Sequence, residues 1–383
     1  PLKKRDTFFV QRYRLMILAD IENFFEEWAP RWTAWERDNV GIQIGRRSRK
    51  VSNLLVALDV TPGIVEEAVA CKADLIVTHH PLLFRPPSSI SDSDPVGALV
   101  LSLAEKRIAL FSAHTNLDSA AGGVSFTLAR ALGISKPAFL VPLKDTLVKI
   151  AVFVPQQNAN AVAAAMAESG AGVIGEYQSC SFRISGKGTF RGSERSAPTI
   201  GKPLRLEEVD EVRLEMVVPR PRVTTVVTAM KSAHPYEEVA YDLYTLENGN
   251  PNVGMGAVGN LLKPMTVRAF LAQVKRTLHT SSLRFSGSLS QTVKRVAVCG
   301  GSGSELLEDA IHAKADVFVT ADVRYHAFQA ANGRINLVDA GHYETEHVVL
   351  SSIADRLRSW AKTKGEKIVV TLTEQSTNPI HSF

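Results

Sequence analysis

Short apolar runs rich in β-branched residues alternate with longer helical stretches from residue 52 onward. This alternation is typical of βαβ units, in which strands pair in parallel through helical crossovers. The first part of the pattern predicts strands over 54–60, 75–77 and 108–113 and helices over 96–106 and 123–132. Another helix is predicted to begin at Thr61-Pro62, because threonine caps helices and proline suits the first helical position. We therefore expect an α/β body.

A different order of elements occupies the middle of the chain, between about Asp145 and Gly259. The pattern there predicts strand, helix, two strands, helix and strand, over 147–154, 159–169, 177–190, 206–218, 223–232 and 239–246. A βαββαβ order is ferredoxin-like, with one antiparallel sheet covered by two helices. The turn His234-Pro-Tyr-Glu-Glu238 holds the main group of ionisable residues in this segment. A structural corner with an exposed glutamate pair is the simpler interpretation of that turn.

The α/β alternation resumes after Leu262. Predicted helices cover 267–278, 304–313, 325–331 and 342–362, and predicted strands cover 295–299, 317–320, 335–339 and 367–372. The expected fold class is a discontinuous α/β body with mixed sheets, interrupted by an inserted ferredoxin-like α+β domain. The body takes residues 16–144 and 261–383, and the insert takes 145–260. Residues 1–15 are basic and lack capping or turn signals, so the body is expected to begin at Met16.

The two halves of the body resemble each other in sequence pattern. Runs that end in Asp59 and in Thr78-His79-His80 have counterparts that end in Gly300-Gly301 and in Thr320-Ala321-Asp322. Each of these runs is a predicted strand followed by a polar or glycine-rich turn and then a helix. The pattern suggests that the halves are related by an internal pseudo-repeat.

Composition limits the classes of protein that the chain can represent. Of 383 residues, 45% are hydrophobic and 22% are charged, which is ordinary for a folded globular protein. The net charge of +5 is mild and the basic run over 45–50 is short, so no nucleic acid partner is expected.

No apolar run approaches the roughly 20 residues that span a bilayer, so no membrane association is expected either. The three cysteines are far apart and form no Cys-x-x-Cys pair, which favours a reducing cytoplasm.

Two adjacent histidines follow the predicted strand in Leu75-Ile-Val-Thr-His-His-Pro81. Neighbouring side chains of a strand point to opposite faces, so His79 and His80 can converge only if the chain leaves strand geometry there. Pro81 favours this, because it removes a backbone donor and restricts His80 to extended conformations. Alone, the pair could be two polar loop residues or two metal ligands.

Three further ionisable residues lie in comparable positions. His342 and Glu346 are four residues apart at the start of a predicted helix, so they share one face. Asp118 follows a strand and precedes a helix. Each has an ordinary explanation as a surface pair or a helix cap, but all follow the carboxyl ends of strands. Ligands bind at that edge in open α/β sheets, which favours one shared metal site.

Four segments carry a family resemblance. These are Asp38-Asn-Val-Gly-Ile-Gln-Ile-Gly45, Thr78-His-His-Pro81, His114-Thr-Asn-Leu-Asp118 and Asp339-Ala-Gly-His-Tyr-Glu-Thr-Glu346. In order and spacing they resemble the signature segments of the NIF-three-like family, also known as GTP cyclohydrolase I type 2 homologues. The resemblance implies a dinuclear metal centre, with ligands at His79, His80, Asp118, His342 and Glu346. It also implies a homohexameric ring, and the insert resembles the PII and CutA type of domain.

The implied ligand set suits transition metals. Three imidazoles and two carboxylates favour zinc, with iron, manganese or cobalt as alternatives. Five ligands leave coordination positions for water, whose pKa such ions lower from about 15.7 to near 7. This chemistry predicts a cytoplasmic metal-dependent hydrolase acting on a small nucleotide-like or phosphate-bearing substrate. The alternative is a non-catalytic metal-binding protein with a regulatory, storage or chaperone role.

Other polar residues are predicted at the same sheet edge. We assign His114 and His326 as catalytic candidates, because each follows a strand end that should open onto the metals. Asn116 and Tyr325 are candidate supporting residues. The turn Gly300-Gly-Ser-Gly-Ser304 could hold an anionic substrate group through its backbone N–H groups. Tight-turn geometry explains these glycines equally well.

Overall fold

The computed structural model describes residues 16–381, which form two compact units. Unit 1 joins the described residues up to Val141 with those from Asn252 onward, and unit 2 runs from Pro142 to Pro251. The basic residues 1–15, which the sequence separates from the body, lie outside the described residues. None of the helices within 16–381 combines the length and the apolar character needed to cross a lipid bilayer.

The first segment of unit 1 provides five strands, and the three from Asn53 to Ser112 are buried along most of their length. The strands are β1 (Gly41–Ile44), β2 (Asn53–Ala57), β3 (Leu75–Thr78), β4 (Ala109–Ser112) and β5 (Ile134–Leu143). The helices are α1 (Leu18–Trp28), α2 (Pro62–Ala70), α3 (Pro95–Glu105), α4 (Thr115–Asp118) and α5 (Val124–Ala131). Thr61 caps α2, since its side chain accepts a hydrogen bond from the Ile64 N–H. The helix start predicted from Thr61-Pro62 is confirmed.

Unit 2 has the ferredoxin-like order predicted for the insert. Its strands are β6 (Leu147–Pro155), β7 (Phe182–Arg191), β8 (Leu206–Pro219) and β9 (Tyr241–Leu246), and its helices are α6 (Ala159–Glu168) and α7 (Val223–Ala233). The strands form an antiparallel sheet in the order β7-β8-β6-β9. Apolar residues of one sheet face, including Ile150 and Leu214, pack with Val162 and Val226 of the two helices.

The second segment of unit 1 completes the body. Its strands are β10 (Asn250–Thr266), β11 (Arg284–Ser286), β12 (Thr292–Ser302), β13 (Val317–Ala321), β14 (Asn336–Asp339) and β15 (Val369–Leu372). Its helices are α8 (Val267–Thr277), α9 (Leu307–His312), α10 (Tyr325–Ala331), α11 (His342–Glu346) and α12 (Val349–Thr363). Within residues 16–381, short 3-10 helices cover Arg31–Thr33, Gln156–Asn158, Arg220–Arg222 and Ser304–Leu306.

Unit 1 contains two mixed sheets. The first has the order β1-β4-β3-β2-β15, with only β1 antiparallel to its neighbour. The second has the order β11-β14-β13-β12-β10-β5, with a parallel centre of β12, β13 and β14. Strands β10 and β11 pair with that centre antiparallel. The predicted α/β class with mixed sheets is confirmed.

One structural device occurs in both sheets of unit 1. Asp74, just before β3, accepts hydrogen bonds from the backbone N–H groups of Ser52 and Asn53 at 2.8 and 3.1 Å. Asp316, just before β13, accepts from Lys294 and Arg295 at 2.8 Å each. In each case the aspartate ties the start of one parallel strand to the start of its neighbour. The paired aspartates are the structural counterpart of the pseudo-repeat in the sequence.

Several elements differ from the sequence prediction. The helix predicted over 342–362 is two helices, α11 and α12, because the His347 imidazole contacts the carbonyls of Tyr343 and Glu344 at the break. The strand predicted over 177–190 begins only at Phe182, since Ser179 has a φ of 55° and interrupts extended backbone.

Strands β1, β5, β10 and β11 and helix α1 have no counterpart in the prediction. The glycines of β10 resemble turn signals, but they serve close strand packing instead. A Cβ at Gly254 would lie 2.6 Å from the Val141 carbonyl oxygen, and one at Gly259 would lie 2.7 Å from Ile134 Cγ2. Because β10 is one continuous strand, the predicted insert boundary at residue 260 falls inside it.

Candidate metal centre

Two histidines follow the buried strand β3 and leave its geometry at once. All residues of β3 are buried, and the Thr78 hydroxyl donates to the His80 carbonyl at 2.8 Å. The resulting bend brings the rings of His79 and His80 to a centroid distance of 5.0 Å. Continued strand geometry would have sent these side chains to opposite faces. The prediction that the chain leaves strand geometry here is therefore confirmed.

Four histidines share one arrangement of their ring nitrogens. In each, Nδ1 contacts a protein acceptor, which leaves Nε2 available as a ligand. The acceptors are the Ala113 carbonyl for His79, Asp59 for His80, Asp38 for His114 and Asp322 for His342, at 2.8, 2.7, 2.9 and 2.6 Å. Contacts of this kind fix the tautomer and the ring orientation, and they are typical of metal-binding histidines.

Glu346 lies among three of these imidazoles. Its Oε2 is 2.9 Å from His80 Nε2 and 3.1 Å from His342 Nε2, and its Oε1 is 3.8 Å from His79 Nε2. Asp118 approaches the same His79 nitrogen with Oδ1 at 3.6 Å. His342 and Glu346 come from the first and last positions of α11, so they project from one face as their spacing predicts.

Three atoms of this cluster are buried without a hydrogen-bond partner. They are His79 Nε2, Asp118 Oδ1 and Glu346 Oε2. Glu346 Oε2 lies 2.9 and 3.1 Å from two imidazole nitrogens, which can donate to it only when their rings are protonated. Buried polar atoms almost always have partners, because losing hydration without compensation costs about 1–3 kcal/mol each. Nitrogen and carboxylate atoms that converge in this way fit a divalent transition metal ion held between them.

The ligand atoms form two overlapping groups. In one, single ligand atoms of His79, His80 and His114 lie within 4.8 Å of one another, and in the other those of His80, His342 and Glu346 do. Both groups are large enough to hold a metal ion. The five ligands implied by the family resemblance thus lie together in unit 1, with His114 beside them.

The packing of imidazoles against carboxylates shifts their protonation. Burial lowers the pKa of His80, but the carboxylates of Asp59 and Glu346 outweigh it and raise the pKa to about 10. Glu346 raises the pKa of His342 to about 9, against the effect of burial. Burial raises the pKa of Glu346, yet the surrounding imidazoles hold it well below its usual range. Protons therefore occupy the cluster in the absence of metal, and a bound metal would displace them.

The two predicted catalytic histidines differ in position. His114 adjoins the cluster, and its Nδ1 contacts Asp38, a buried carboxylate that also accepts from the Thr115 N–H. Burial raises the pKa of Asp38, but His114 and Thr115 lower it to about 2, so the carboxylate stays ionised. His326 is exposed on α10, where it contacts Gln329 and the Tyr325 ring and lies outside both ligand groups. The structure brings His114 to the site and leaves His326 away from it.

The glycine-rich turn at 300–304 serves the site through its shape. Gly301 has a φ of 63°, and a Cβ there would lie 2.1 Å from Glu346 Oε1. Its N–H and that of Gly303 donate to the hydroxyls of Thr345 and Thr320. These two donors are already engaged, which favours the tight-turn interpretation over the anion-binding one. Gly301 makes the space that the Glu346 carboxylate occupies.

A cavity of about 140 Å³ opens beside the cluster. Its lining includes His114, Asp118, His342 and Glu346, together with the indole of Trp35, which is 58% exposed. Cys299 also lines it. Burial raises the pKa of this thiol, and the carboxylates of Asp118 and Glu305 raise it further, so Cys299 is a neutral thiol. Trp35 and Cys299 are not among the residues predicted for the site, because neither belongs to a motif.

The roles of the three aspartates that contact histidine Nδ1 atoms were also not predicted. Asp38, Asp59 and Asp322 each stand at a strand end or in a signature segment, but sequence alone does not pair them with particular histidines. Each pairing joins residues 20 to 76 positions apart. A search for carboxylates that follow neighbouring strands would have found Asp59 and Asp322.

Comparison with known proteins decides the family. A family model described as Duf34/NIF3 (NGG1p interacting factor 3) matches residues 16–379. The chain belongs to the NIF3 family. The resemblance inferred from the four signature segments is confirmed.

Relatives and solved structures agree with this assignment over nearly the full chain. A Bacillus subtilis protein named GTP cyclohydrolase 1 type 2 homolog is 40% identical over 361 residues, 94% of this chain and 96% of that protein. A Mycobacterium tuberculosis protein of the same name is 37% identical over 348 residues, 89% and 91% of the two chains. The structure of a Bacillus cereus protein related to NIF3 matches with a TM-score of 0.82 and 36% identity, covering 97% and 100%. A Staphylococcus aureus protein matches with a TM-score of 0.80 and 29% identity, covering 96% and 99%.

Proposed function

We propose that this NIF3-family chain is a dinuclear metal-dependent hydrolase acting on a small nucleotide-like or phosphate-bearing molecule. The observation that carries the proposal is the set of buried, unpartnered nitrogen and oxygen atoms beside a cavity. The proposed metal ligands are His79, His80, Asp118, His342 and Glu346. Divalent transition metals, zinc foremost, would supply Lewis acidity and a coordinated water of lowered pKa.

Glu346 would hold metal together with imidazoles from both halves of the body. Its Oε1 faces His79, whereas its Oε2 faces His80 and His342. A carboxylate whose oxygens face different imidazoles is suited to join two sites. Asp118 approaches from the His79 side, and it completes that part of the ligand set.

His114 is the proposed proton-handling residue. Ionised Asp38 holds the Nδ1 side of its ring at 2.9 Å, which favours the tautomer with a free Nε2. The ring lines the cavity, so Nε2 can accept a proton from a reacting group there or return one to a leaving group. Asp38 plays the orienting role that a buried carboxylate has beside a general base.

The cavity sets the size of the reacting group. About 140 Å³ admits the reacting part of a nucleotide-like molecule and not the whole of one. Trp35 offers an exposed indole face at this cavity, on which a planar heterocycle could stack. A phosphate-bearing remainder would extend towards solvent.

The family resemblance carries two further proposals. The chain would assemble into a hexameric ring, and it would act in the cytoplasm. Light scattering tests the first, because a hexamer has six times the 41.7 kDa mass of one chain. The three cysteines are free thiols, which suits a reducing compartment.

The decisive experiment measures bound metal together with hydrolysis of a panel of nucleotides and phosphoesters. His80→Ala is expected to lose metal and turnover together. His312→Ala removes an exposed histidine of α9 outside both ligand groups and serves as the matched control. Full metal stoichiometry in His80→Ala would overturn the ligand assignment.

His114→Ala separates chemistry from metal binding. We expect it to keep its metal, because the five proposed ligands remain, and to lose turnover, because His114 handles protons in this proposal. The near-complete burial of His79 and Glu346 also suits a protein that stores or senses metal. Reversible metal binding with no turnover of any panel member would favour that second function.

A further inference from the structure

Unit 2 contains a cavity of its own. It measures about 510 Å³, which lies in the range of small-molecule sites, and every residue that lines it belongs to unit 2. Three aromatic side chains contribute to its wall, namely Phe153 of β6, Phe190 of β7 and Tyr236 of the turn before β9. The turn His234-Pro-Tyr-Glu-Glu238, which the metal-centre proposal does not use, forms one side.

That turn is held in place by its histidine. His234 is buried, and its Nε2 lies 3.0 Å from the Phe153 carbonyl oxygen. Its Nδ1 accepts a hydrogen bond from the Tyr236 N–H at 3.1 Å. The ring thus bridges β6 and the turn, and it fixes the backbone that presents Tyr236 to the cavity.

A second segment closes the cavity from the other side. The Thr199 hydroxyl donates to the Pro235 carbonyl at 2.8 Å, and the Ala197 N–H donates to Glu237 Oε1 at 3.0 Å. Both contacts join residues about forty positions apart in sequence. The wall is therefore built by tertiary contacts and is preformed.

Glu211 of β8 places an unpaired carboxylate at this cavity. A Cβ at Gly188 would lie 2.1 Å from Glu211 Oε2, so the glycine makes the space that the carboxylate fills. Within residues 16–381, no lysine or arginine nitrogen lies within 4 Å of Glu211. Four positions along the same strand, Glu215 is bound by both Lys149 and Arg213.

The Tyr236 hydroxyl, close to the Glu211 carboxylate, is the second polar group of this wall. It is fully buried and makes no hydrogen bond of good geometry. Burial and the nearby Glu211 carboxylate raise its pKa to about 12, so the hydroxyl keeps its proton. A ligand in the cavity could satisfy both groups at once.

The charge of the lining favours a positive ligand. Glu211, Glu237 and Glu238 stand against Lys187 and Arg191, and Lys187 is already paired with Glu208 and Asp210 at 2.9 and 3.3 Å. Aromatic faces attract cations by about 0.5–2 kcal/mol. A charged N–H donor bound to a carboxylate adds a hydrogen bond roughly twice as strong as a neutral one.

We propose that this cavity of unit 2 binds a small organic cation, an amidinium or ammonium group on an apolar body, through Glu211, Tyr236 and the aromatic wall. The proposal is independent of the metal centre. The cation would contact Glu211, and the apolar body would pack against Phe153 and Phe190.

The test uses three probes of one shape on the full chain with excess zinc: cationic benzamidine, neutral benzamide and anionic benzoate. Isothermal titration should show saturable benzamidine binding. Benzamide should bind at least about tenfold more weakly, since it lacks the charge. Benzoate should not bind. Equal affinity for benzamidine and benzamide, or no saturable binding of benzamidine, would overturn the proposal.

Two variants of the same charge change locate the site. Glu211→Gln should weaken benzamidine binding by at least about tenfold, whereas Glu168→Gln, at the exposed end of α6, should leave it unchanged. An equal effect of both substitutions would reject Glu211 as the contact. The probe comparison on the unaltered chain decides the matter if Glu211→Gln does not fold.

Discussion

In both sheets of unit 1, an aspartate ties the starts of two neighbouring parallel strands together. The residues that follow the carboxyl ends of those strands differ. Leu54 pairs with Leu75 in one and Val296 pairs with Val317 in the other, and an aspartate ties the paired strands together in both. At the far end, β3 leads into His79 and His80, whereas β13 ends at Ala321 and leads into Asp322. The scaffold is repeated, but the proposed metal ligands are not.

A histidine in the first half and a carboxylate in the second follow equivalent strands. In the first half, His80 follows β3 and its carboxylate, Asp59, follows the neighbouring strand β2. In the second, Asp322 follows β13 and its histidine, His342, follows the neighbouring strand β14. Both arrangements orient one Nε2 towards Glu346. Equivalent backbone positions can thus supply either the ligand or its support.

The largest effect is expected where the halves meet, at Glu346. Glu346→Gln removes the carboxylate that faces imidazoles from both halves. We expect metal affinity to fall by more than the roughly 10- to 100-fold that loss of a supporting residue causes. Metal content after dialysis and calorimetric titration measure the loss. Wild-type affinity in this variant would show that the two halves do not share a ligand.

A smaller effect is expected from the supporting carboxylates. Asp59→Asn and Asp322→Asn should each lower metal affinity by about 10- to 100-fold, because each orients one ligand histidine. Asp59 should matter more, since Thr377 also holds it at 2.6 Å, while the Asp322 side chain is 46% exposed. Titration with zinc compares the two variants directly. A larger loss for Asp322→Asn would reverse the ranking of the halves.

Sequence predicted the local parts of this arrangement well. Helical periodicity and the Thr61-Pro62 signal located α2, and the i,i+4 spacing put His342 and Glu346 on one face of α11. The ferredoxin-like order of unit 2 also followed from pattern alone. These features depend on interactions within a few residues, or on the simple order of elements.

Features that depend on distant neighbours were missed. The glycines of β10 look like turn signals in sequence, yet they are required by the approach of β5. The Asp38–His114 contact joins residues 76 positions apart, and Trp35 reaches the cavity from outside any motif. Which Nδ1 meets which carboxylate is a tertiary property, so no local pattern encodes it.

The protons that metal binding displaces from His80 and His342 give a further comparison of the two halves. Metal binding requires neutral imidazoles, and in the metal-free protein the pKa of His80 is about 10 and that of His342 about 9. Apparent metal affinity should therefore rise with pH from neutrality to about pH 10. Binding heats at pH 7.5 should vary with the ionisation enthalpy of the buffer. His342→Ala should release fewer protons than the wild type, and unchanged release would contradict the assignment.

The same shifts set the pH dependence of the metal-free fold. The raised pKa values of His80 and His342 stabilise the fold fully below the ordinary histidine pKa of 6.5, and that stabilisation is lost as pH rises through 9 to 10. The lowered pKa of Glu346 has the opposite effect. Its contribution to stability is present above the ordinary glutamate pKa of 4.5 and is lost as the pH falls. Urea midpoints of metal-free protein should fall above about pH 9. Saturating zinc should remove that fall.

The smallest effect, and the one most alike in the two halves, is expected from the aspartates that tie neighbouring strands together. Asp74→Ala and Asp316→Ala each remove an acceptor for two backbone N–H groups. Each should lower the free energy of unfolding by about 2 kcal/mol and leave the metal ligands in place. Urea unfolding measures the loss, and zinc titration checks the site. Equal losses would show that the repeated scaffold does the same structural work in both halves. If a variant also lost metal, its aspartate would support the metal site as well as the sheet.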